Sequence, residues 1–261
     1  MLRAFSTAAT GMAAQQRMLD VTANNLANIN TSGFKRSQVN FQDLLYVSMR
    51  QPGTEIGGGI KSPTGVEIGC GVNLASTAKV FSQGELENTG NIFDVAIRGD
   101  GLFQVSMPNG DIRYTRDGAL NVNADGQLVT VTGYFIEPAI AIPVDYASID
   151  IGKDGSVNIT DASGTLSVIG TLELVRFPNP SGLLSEGDNL FSETEASGTP
   201  TTGMPGENGF GILQSGFLEK SNVDMIAELV NLITAQRAYE TNSRAIRAGD
   251  EMLRAATQIG V

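Results

Sequence analysis

Apolar residues near the start of the chain recur in a heptad pattern whose spacings alternate between three and four residues. The positions are Leu2, Phe5, Ala9, Met12, Gln16, Leu19, Ala23 and Leu26. Such a pattern predicts an α-helix that buries a narrow seam against other helices. We expect this helix to cover residues 2–28, because an asparagine-rich stretch and then Ser32 and Gly33 favour a helix end there.

The end of the chain carries a second heptad pattern. Large residues recur at every seventh position, at Met225, Leu232, Tyr239, Ile246 and Leu253. Small or polar residues stand three places after four of these, at Ala235, Asn242, Gly249 and Ala256. This pattern predicts a helix over residues 222–257, with Ser221 or Asn222 as its N-cap. Alternation of large and small residues favours close packing among several copies of the chain. A helical hairpin within one monomer is the alternative.

The pattern changes after the first heptad. Residues 34–51 carry apolar side chains at positions that fit either a short helix or an extended arm, namely Phe41, Leu44, Leu45 and Met49. Residues 51–71 are rich in Gly and Pro, and no continuous core can be drawn through them. They therefore predict an extended arm with the composition of a loop.

Residues 72–215 predict β structure. Turn dipeptides that suit the positive φ angles of tight hairpins separate short apolar or alternating runs, at Asn109-Gly110, Asp117-Gly118, Asp125-Gly126 and Asp154-Gly155. We expect strands at 92–98, 103–105, 120–122, 127–131, 134–142, 148–151, 156–160, 166–170 and 172–177. Residues 178–215 return to the composition of a loop.

Together these patterns predict an α+β protein with a discontinuous organisation. Both chain ends, residues 1–50 and 216–261, contribute to one coiled-coil-like helical domain. The all-β domain of antiparallel strands, residues 72–215, is inserted between them, because no helical pattern interrupts the strands.

The composition excludes several kinds of chemistry. The chain has no histidine and a single cysteine, Cys70, so Ser-His-Asp sites, His-ligated metals and internal disulfides are impossible. Residues 121–126 resemble the start of a calcium loop, but Thr132 stands where a glutamate ligand is needed, which favours a hairpin turn. We therefore expect no cofactor, no metal, no small-molecule substrate and no enzymatic activity.

Charge is spread unevenly along the chain. Residues 51–215 hold seven Lys and Arg against twenty Asp and Glu, whereas residues 1–50 hold five against two. An acidic surface repels phosphates, so we expect no nucleic-acid binding. The first residues lack the apolar stretch of a secretory signal, which predicts a protein that is cytoplasmic or exported without a cleaved signal.

Three sets of motifs resemble the bacterial flagellar rod and hook proteins. Residues 23–35 (ANNLANINTSGFK) resemble the N-terminal signature of that family, and residues 221–224 (SNVD) with 236–240 (QRAYE) resemble the C-terminal one. Residues 94–105 (DVAIRGDGLFQV) and 114–118 (YTRDG) are similar to the family's β domain. Residues 41–46 (FQDLLY) and 50–53 (RQPG) resemble the distal rod members, with the proximal rod members as the alternative.

The resemblance implies a structural subunit that polymerises into a rigid helical shaft and carries motor torque across the periplasm to the hook. It implies contacts with copies of the chain, other rod proteins, the hook protein and surrounding ring proteins, and delivery by the flagellar type III export apparatus without a cleaved signal. A β-domain binding module with a helical oligomerisation stalk is the alternative from another class.

The heptads and the signature residues together predict the assembly interface. Its members are Leu2, Phe5, Met12, Leu19, Asn24, Asn25, Leu26, Asn28, Phe34, Met225, Leu232, Gln236, Arg237, Tyr239, Glu240, Ile246 and Leu253.

Overall fold

A computed structural model of the chain describes residues 2–53, 55–57, 60–143, 146–161 and 164–259. The chain divides into two compact units, and it passes from one to the other four times. The helical unit comprises Met1–Leu26, Ser37–Ala78 and Met225–Val261, and the β unit comprises Ala27–Arg36 and Lys79–Asp224. The predicted mixed α+β class is confirmed, whereas its coiled-coil character and the predicted domain boundaries stay predictions.

Two long helices, α1 (Leu2–Ala27) and α2 (Met225–Ile259), lie side by side in the helical unit. Gly11 of α1 faces Asn242, and Gly249 of α2 faces the ring of Phe5. The residue numbers on the two helices run in opposite directions along these contacts, so the pair is antiparallel. The predicted N-cap at Ser221 or Asn222 is wrong, because α2 begins three residues beyond Asn222.

The helical unit also contains six short strands. They are β1 (Ser37–Asp43), β2 (Val47–Arg50), β3 (Glu55–Gly57), β4 (Ile60–Lys61), β5 (Val66–Ile68) and β6 (Val72–Lys79). β1 pairs with β6, β2 with β5 and β3 with β4, which makes an extended, nested arm. Residues 37–50 are thus extended rather than helical. The strands within 55–68 were not predicted, because the glycines and prolines in and around them are typical of loops.

The described part of the β unit contains sixteen strands. They are β7 (Leu86–Asn88), β8 (Val95–Arg98), β9 (Phe103–Ser106), β10 (Ile112–Thr115), β11 (Leu120–Val122), β12 (Leu128–Thr130), β13 (Phe135–Glu137), β14 (Tyr146–Ile151), β15 (Ser156–Asp161), β16 (Leu166–Thr171), β17 (Leu174–Arg176), β18 (Leu184–Gly187), β19 (Leu190–Ser192), β20 (Thr201–Gly203), β21 (Ile212–Ser215) and β22 (Phe217–Glu219).

Its largest sheet has seven strands in the order β11-β12-β13-β9-β10-β19-β18. A three-stranded sheet, β14-β15-β16, and the pairs β8-β21, β7-β22 and β17-β20 complete the unit. The paired strands of the described residues run antiparallel, as the turn dipeptides predict. The loop predicted for residues 178–215 is wrong in part: it contains β18 to β21 and a short 3₁₀ helix at Pro180–Gly182, and two of its strands close one side of the large sheet.

The core of the β unit is continuous and apolar. Phe103 and Val105 of β9 and Leu174 of β17 are completely buried within it. Burying such a side chain contributes roughly 1.5–3 kcal/mol, so this core accounts for most of the stability of the unit. Alternating burial along β9 follows directly from the twofold repeat of a strand.

Candidate assembly surfaces and a buried ion cluster

The heptad positions of α2 face α1 within the same chain. Ala235 is buried, Leu232, Ile246 and Leu253 are half-buried, and Tyr239 is 41% exposed. Small residues make the approach possible, since Gly11 and Gly249 stand where a larger side chain would press on its neighbour. The seam therefore serves the helical hairpin that the sequence left open as an alternative.

On α1, Phe5 faces Gly249 of α2, whereas the most buried positions are offset from the predicted heptad, at Ala14, Thr22 and Asn25. Phe5, Met12, Leu19 and Leu26 are half-buried, and Ala14 between them is buried. The side chain of Leu2 lies outside the described residues. Phe5 also borders an apolar groove of about 100 Å³ together with Ala4, Ala8, Ala245, Ile246, Gly249 and Met252.

Asn25, near the end of α1, joins three parts of the helical unit. Its side-chain NH₂ donates to the Ser37 carbonyl at 2.9 Å and to the Glu228 carboxylate of α2 at 3.4 Å. Its side-chain oxygen accepts the Ser37 N–H at 2.9 Å. Asn25 is 1% exposed, so every one of these bonds is shielded from water. The residue therefore fixes the start of the arm against both helices.

The remaining predicted residues fall into two groups. Asn24, Met225, Gln236, Arg237 and Glu240 are exposed. Two others belong to the β unit: the Asn28 side chain accepts the Thr31 hydroxyl at 3.1 Å, and buried Phe34 carries the Lys79 ammonium 4.7 Å above its ring. The structure thus places these two in the base of the β unit rather than in the helical unit.

A second apolar stripe on α2 was missed in the sequence. Ile226, Leu229, Val230 and Ile233 are 41–75% exposed. At 100° per residue they lie on the side of α2 opposite the heptad seam. Their spacing of three, four and seven residues is itself a helical apolar pattern, and it could have been found by testing each face of the helix separately. We call these four residues the outward stripe.

The arm also exposes apolar side chains. Leu45 is 89% exposed, Met49 of β2 is 66% exposed, and Tyr46, Val66 and Ile68 are exposed beside them. β2 and β5 pair directly, so these side chains belong to one hairpin. Exposed apolar patches of this kind mark surfaces for binding other proteins.

The β unit contains a buried ion cluster. The Lys35 ammonium and the Arg116 guanidinium each contact the Glu219 carboxylate at 2.6 Å, one at each carboxylate oxygen. The three side chains are 1%, 5% and 1% exposed, respectively. Arg116 also donates to the carbonyls of Ile97, Gly99 and Gly101, and Lys35 donates to the Ser82 carbonyl at 2.8 Å. Lys35 and Arg116 fall within motifs that resemble the rod and hook proteins, at residues 23–35 and 114–118, but nothing in the sequence pattern brings them together with Glu219.

Opposing effects set the charge state of Glu219. Burial raises the pKa of its carboxyl, but the charges of Arg116 and Lys35, with hydrogen bonds from Lys35 and the Gly84 N–H, outweigh burial and hold the pKa below its usual value. Glu219 is therefore ionised at neutral pH. The cluster as a whole holds two cations and one anion.

The described residues outside this cluster offer little for catalysis. Among them, no three His, Cys, Asp or Glu side chains come together as they do around a metal ion. In the stretch that resembles a calcium loop, the Asn123 side chain accepts the N–H groups of Asp125 and Gln127, which closes the β11–β12 turn.

Neither of the two described helices carries a stretch apolar enough to traverse a bilayer.

Comparison with known families defines the class of the protein. Residues 5–35 match the family described as flagella basal body rod protein, and residues 214–259 match the C-terminal family of flagellar basal body rod FlgEFG proteins. Residues 96–159 match the D1 domain of flagellar hook protein FlgE/F/G. The three matches follow the chain in order and cover most of α1, the middle part of the β unit and α2.

Full-length relatives narrow the class further. The chain is 49% identical over 251 residues to the flagellar basal-body rod protein FlgG of Buchnera aphidicola subsp. Schizaphis graminum, with 96% of each chain covered. It is 43% identical over 262 residues to the FlgG protein of Borreliella burgdorferi, with 99% of each covered. The flagellar hook-basal body complex protein FlhP of Bacillus subtilis is 34% identical. The chain belongs to the FlgG family of flagellar basal-body rod proteins.

Proposed function

We propose that the chain is a structural subunit of the flagellar distal rod and polymerises into a rigid helical shaft that transmits torque to the hook. The observation that carries this proposal is the outward stripe. Four large aliphatic side chains stand exposed on a helix whose opposite side is already paired with α1. A partner that covers them gains roughly 1.5–3 kcal/mol for each side chain that becomes fully buried.

A second copy of the chain is the partner that fits the rest of the helical unit. The outward stripe occupies the first turns of α2, whereas the apolar groove beside Phe5 lies near the other end of the same helix. Two different patches on one unit produce head-to-tail contacts, and such contacts form an open helical polymer when the rotation does not close. The exposed hairpin of the arm adds a third surface of the same character.

In the assembled shaft, we propose, helices from neighbouring copies pack in a coiled-coil-like manner. The residues predicted at the interface take part in this packing indirectly, because they hold α1 and α2 together as a pair. Many close-packed contacts per subunit make the shaft stiff, because densely packed interiors resist deformation. The acidic surface between residues 51 and 215 faces the surrounding ring proteins and limits adhesion to them. The absence of histidine from the chain supports a structural rather than a catalytic role.

The family also supports the location and the remaining partners in this proposal. We place the subunit in the basal body, within the part of the rod that spans the periplasm, with other rod proteins on one side and the hook protein on the other. Delivery by the flagellar type III export apparatus accounts for a protein that folds and assembles beyond the inner membrane. The proximal rod is the alternative position for a member of this family.

A single charge on the outward stripe tests the proposal. Val230→Asp puts a carboxylate at a position that is 56% exposed in one chain, so the isolated protein keeps its fold and its monomer stability. We expect it to lose polymerisation, measured by sedimentation and by electron microscopy of filaments. Ala248→Asp is the matched control, because it adds the same charge at an exposed position on the same side of α2 but outside the stripe. Polymers of normal length from Val230→Asp would sink the proposal.

A further inference from the structure

Three segments that are remote in sequence each supply one charge to the buried ion cluster. Lys35 ends the N-terminal signature, Arg116 follows β10, and Glu219 ends β22, just before α2. We propose that Glu219 couples the two ends of the chain, so that residues 31–36 stay bound to the β unit only while residues 217–222 are in place. This coupling goes beyond self-assembly, since it operates within one chain.

Glu219 is suited to this role because both of its carboxylate oxygens accept hydrogen bonds from groups that come from different parts of the chain. One carboxylate oxygen accepts the Lys35 ammonium and the Gly84 N–H, at 2.6 and 2.8 Å, and the other accepts the Arg116 guanidinium. It is the one anion that directly contacts either cation among the described ion pairs. Removing its charge leaves two buried cations facing each other, which is the costly way to break such a cluster.

Backbone bonds extend the coupling on both sides of the carboxylate. The Gly33 N–H donates to the Glu219 carbonyl at 2.8 Å, and the Arg36 N–H donates to the Asn222 side chain at 2.7 Å. Asn222 in turn donates to the carbonyl of Val80 at 2.8 Å. The segments that enter and leave the β unit are thus tied to one another through residues 219–222.

The close approach of backbones reinforces this arrangement. A Cβ at Gly84 would overlap the Lys220 carbonyl, and a Cβ at Gly33, whose φ is +68°, would press on the backbone of Asp117. Segments that meet this closely without side chains between them have few alternative packings. Gly84 thus packs against the C-terminal segment, and Gly33 of the N-terminal segment packs against residues 116–117, which carry the second cation of the cluster.

A double-mutant cycle in the full-length monomer tests the electrostatic part. Glu219→Gln leaves the cluster with two uncompensated cations, and we expect the unfolding equilibrium constant of the β unit to rise by about 100-fold or more. Lys35→Met leaves a neutral Arg116–Glu219 pair and costs less. The double variant keeps only the Arg116 cation, so its cluster carries the same net charge of one as the native cluster. It should therefore unfold less readily than Glu219→Gln alone, whose cluster holds two cations. Additive effects of the two changes, or a double variant worse than either, would overturn the proposal.

Amide exchange tests the coupling itself, with a readout that a general loss of packing does not move. In Glu219→Gln we expect the N–H groups of Gly33, Arg36 and Val80 to exchange faster together, and to lose protection by a larger factor than those of β9 and β12, which report only the global loss of stability. Glu87→Gln is the matched control, because Glu87 pairs with Lys220 at 3.2 Å on the surface, next to the same segment. If Gly33 and Arg36 stay protected in Glu219→Gln, or if Glu87→Gln releases them equally, the two ends are not coupled through Glu219. Because monomers are used, failure of this result leaves the polymerisation test unaffected.

Discussion

The two units bury apolar residues to very different extents. The β unit buries large side chains such as Phe103, Leu174 and Leu213 completely. Among the described side chains of the helical unit, the fully buried apolar ones are two alanines, Ala14 and Ala235, while Ile226 and Leu45 stand largely exposed. The β unit therefore buries its own apolar core, whereas the helical unit leaves several large apolar side chains exposed on its surface.

Polar interactions differ between the units in the same way. In the β unit, three ionised side chains are buried together and satisfy one another. On α2, the ion pairs Glu240–Arg244 and Asp250–Arg254 are exposed and link residues four apart. Exposed pairs of this kind contribute only about 0.3–0.5 kcal/mol, so they keep the helix soluble rather than fix its position.

The largest effect should follow from opening the core of the β unit. Phe103→Ala removes a fully buried ring, and we expect the free energy of unfolding to fall by about 3–5 kcal/mol. Phe135→Ala in the neighbouring strand β13 is the control, because that ring is 42% exposed and should cost much less. Urea denaturation followed by tyrosine fluorescence measures both. Equal losses in the two variants would contradict the view that this unit is stabilised by its own core.

A smaller effect should follow in the helical unit from Asn25→Ala. The change leaves the Ser37 N–H and carbonyl without their buried partner, which costs about 1–3 kcal/mol. The helix pair should loosen at the end where the arm begins, and circular dichroism should record a lower melting temperature of the helical signal. Gln16→Ala on an exposed position of α1 is the control and should change nothing measurable. An unchanged melting curve for Asn25→Ala would mean that water replaces these bonds without cost.

Local patterns predicted the strands of the β unit well, and the reason is physical. β9, β11 and β15 alternate between buried and exposed positions or lie beside Asp-Gly and Asn-Gly turns, so each carries its own signal. The strands β18 to β21 carry no such signal, because glycine and proline around them are typical of loops and their partners are remote. β7 and β10 were not predicted either, although β10 pairs with β9 across the Asn109-Gly110 turn, so remote pairing explains only part of what was missed.

The candidate surfaces could be predicted only in part. The heptad predicts a packing seam at Leu232, Ile246 and Leu253, but the choice between a partner in the same chain and one in another chain depends on the size of the facing residues. Gly11 and Ala14 on α1 are small enough for α2 of the same chain to pack closely against them, and this fit is visible only in the structure. The ion cluster could not be predicted as a cluster: Lys35 and Arg116 lie in motifs that resemble the family, but no periodicity links them to Glu219.

The pH dependence of stability distinguishes the contribution of the buried charges of the β unit from that of its apolar core, because only the charged groups titrate. The pKa of Glu219 is lowered in the folded state, so its stabilising contribution is fully present above the usual pKa of a glutamate and is lost as the pH falls through the lowered value. The difference in urea midpoint between the native protein and Glu219→Gln should therefore be largest near neutral pH and shrink in acid. Burial raises the pKa of Asp117, so Asp117→Asn should show a difference of opposite sign that also shrinks in acid. A Glu219→Gln difference that stays constant with pH would assign its loss to packing alone.

The smallest effect on stability, and the clearest contrast with Phe103, should come from the arm. Leu45→Ser changes a side chain that is 89% exposed, so the unfolding free energy of the monomer should stay within about 0.5 kcal/mol of the native value. Polymerisation should nevertheless weaken, because a neighbouring copy that covers Leu45 gains its burial only in the polymer. Light scattering at increasing protein concentration measures this as a higher critical concentration. The opposite pattern, in which Leu45→Ser destabilises the monomer and leaves polymerisation intact, would contradict this. It would show that the apolar side chains of the arm stabilise their own chain and are not buried by a neighbouring copy.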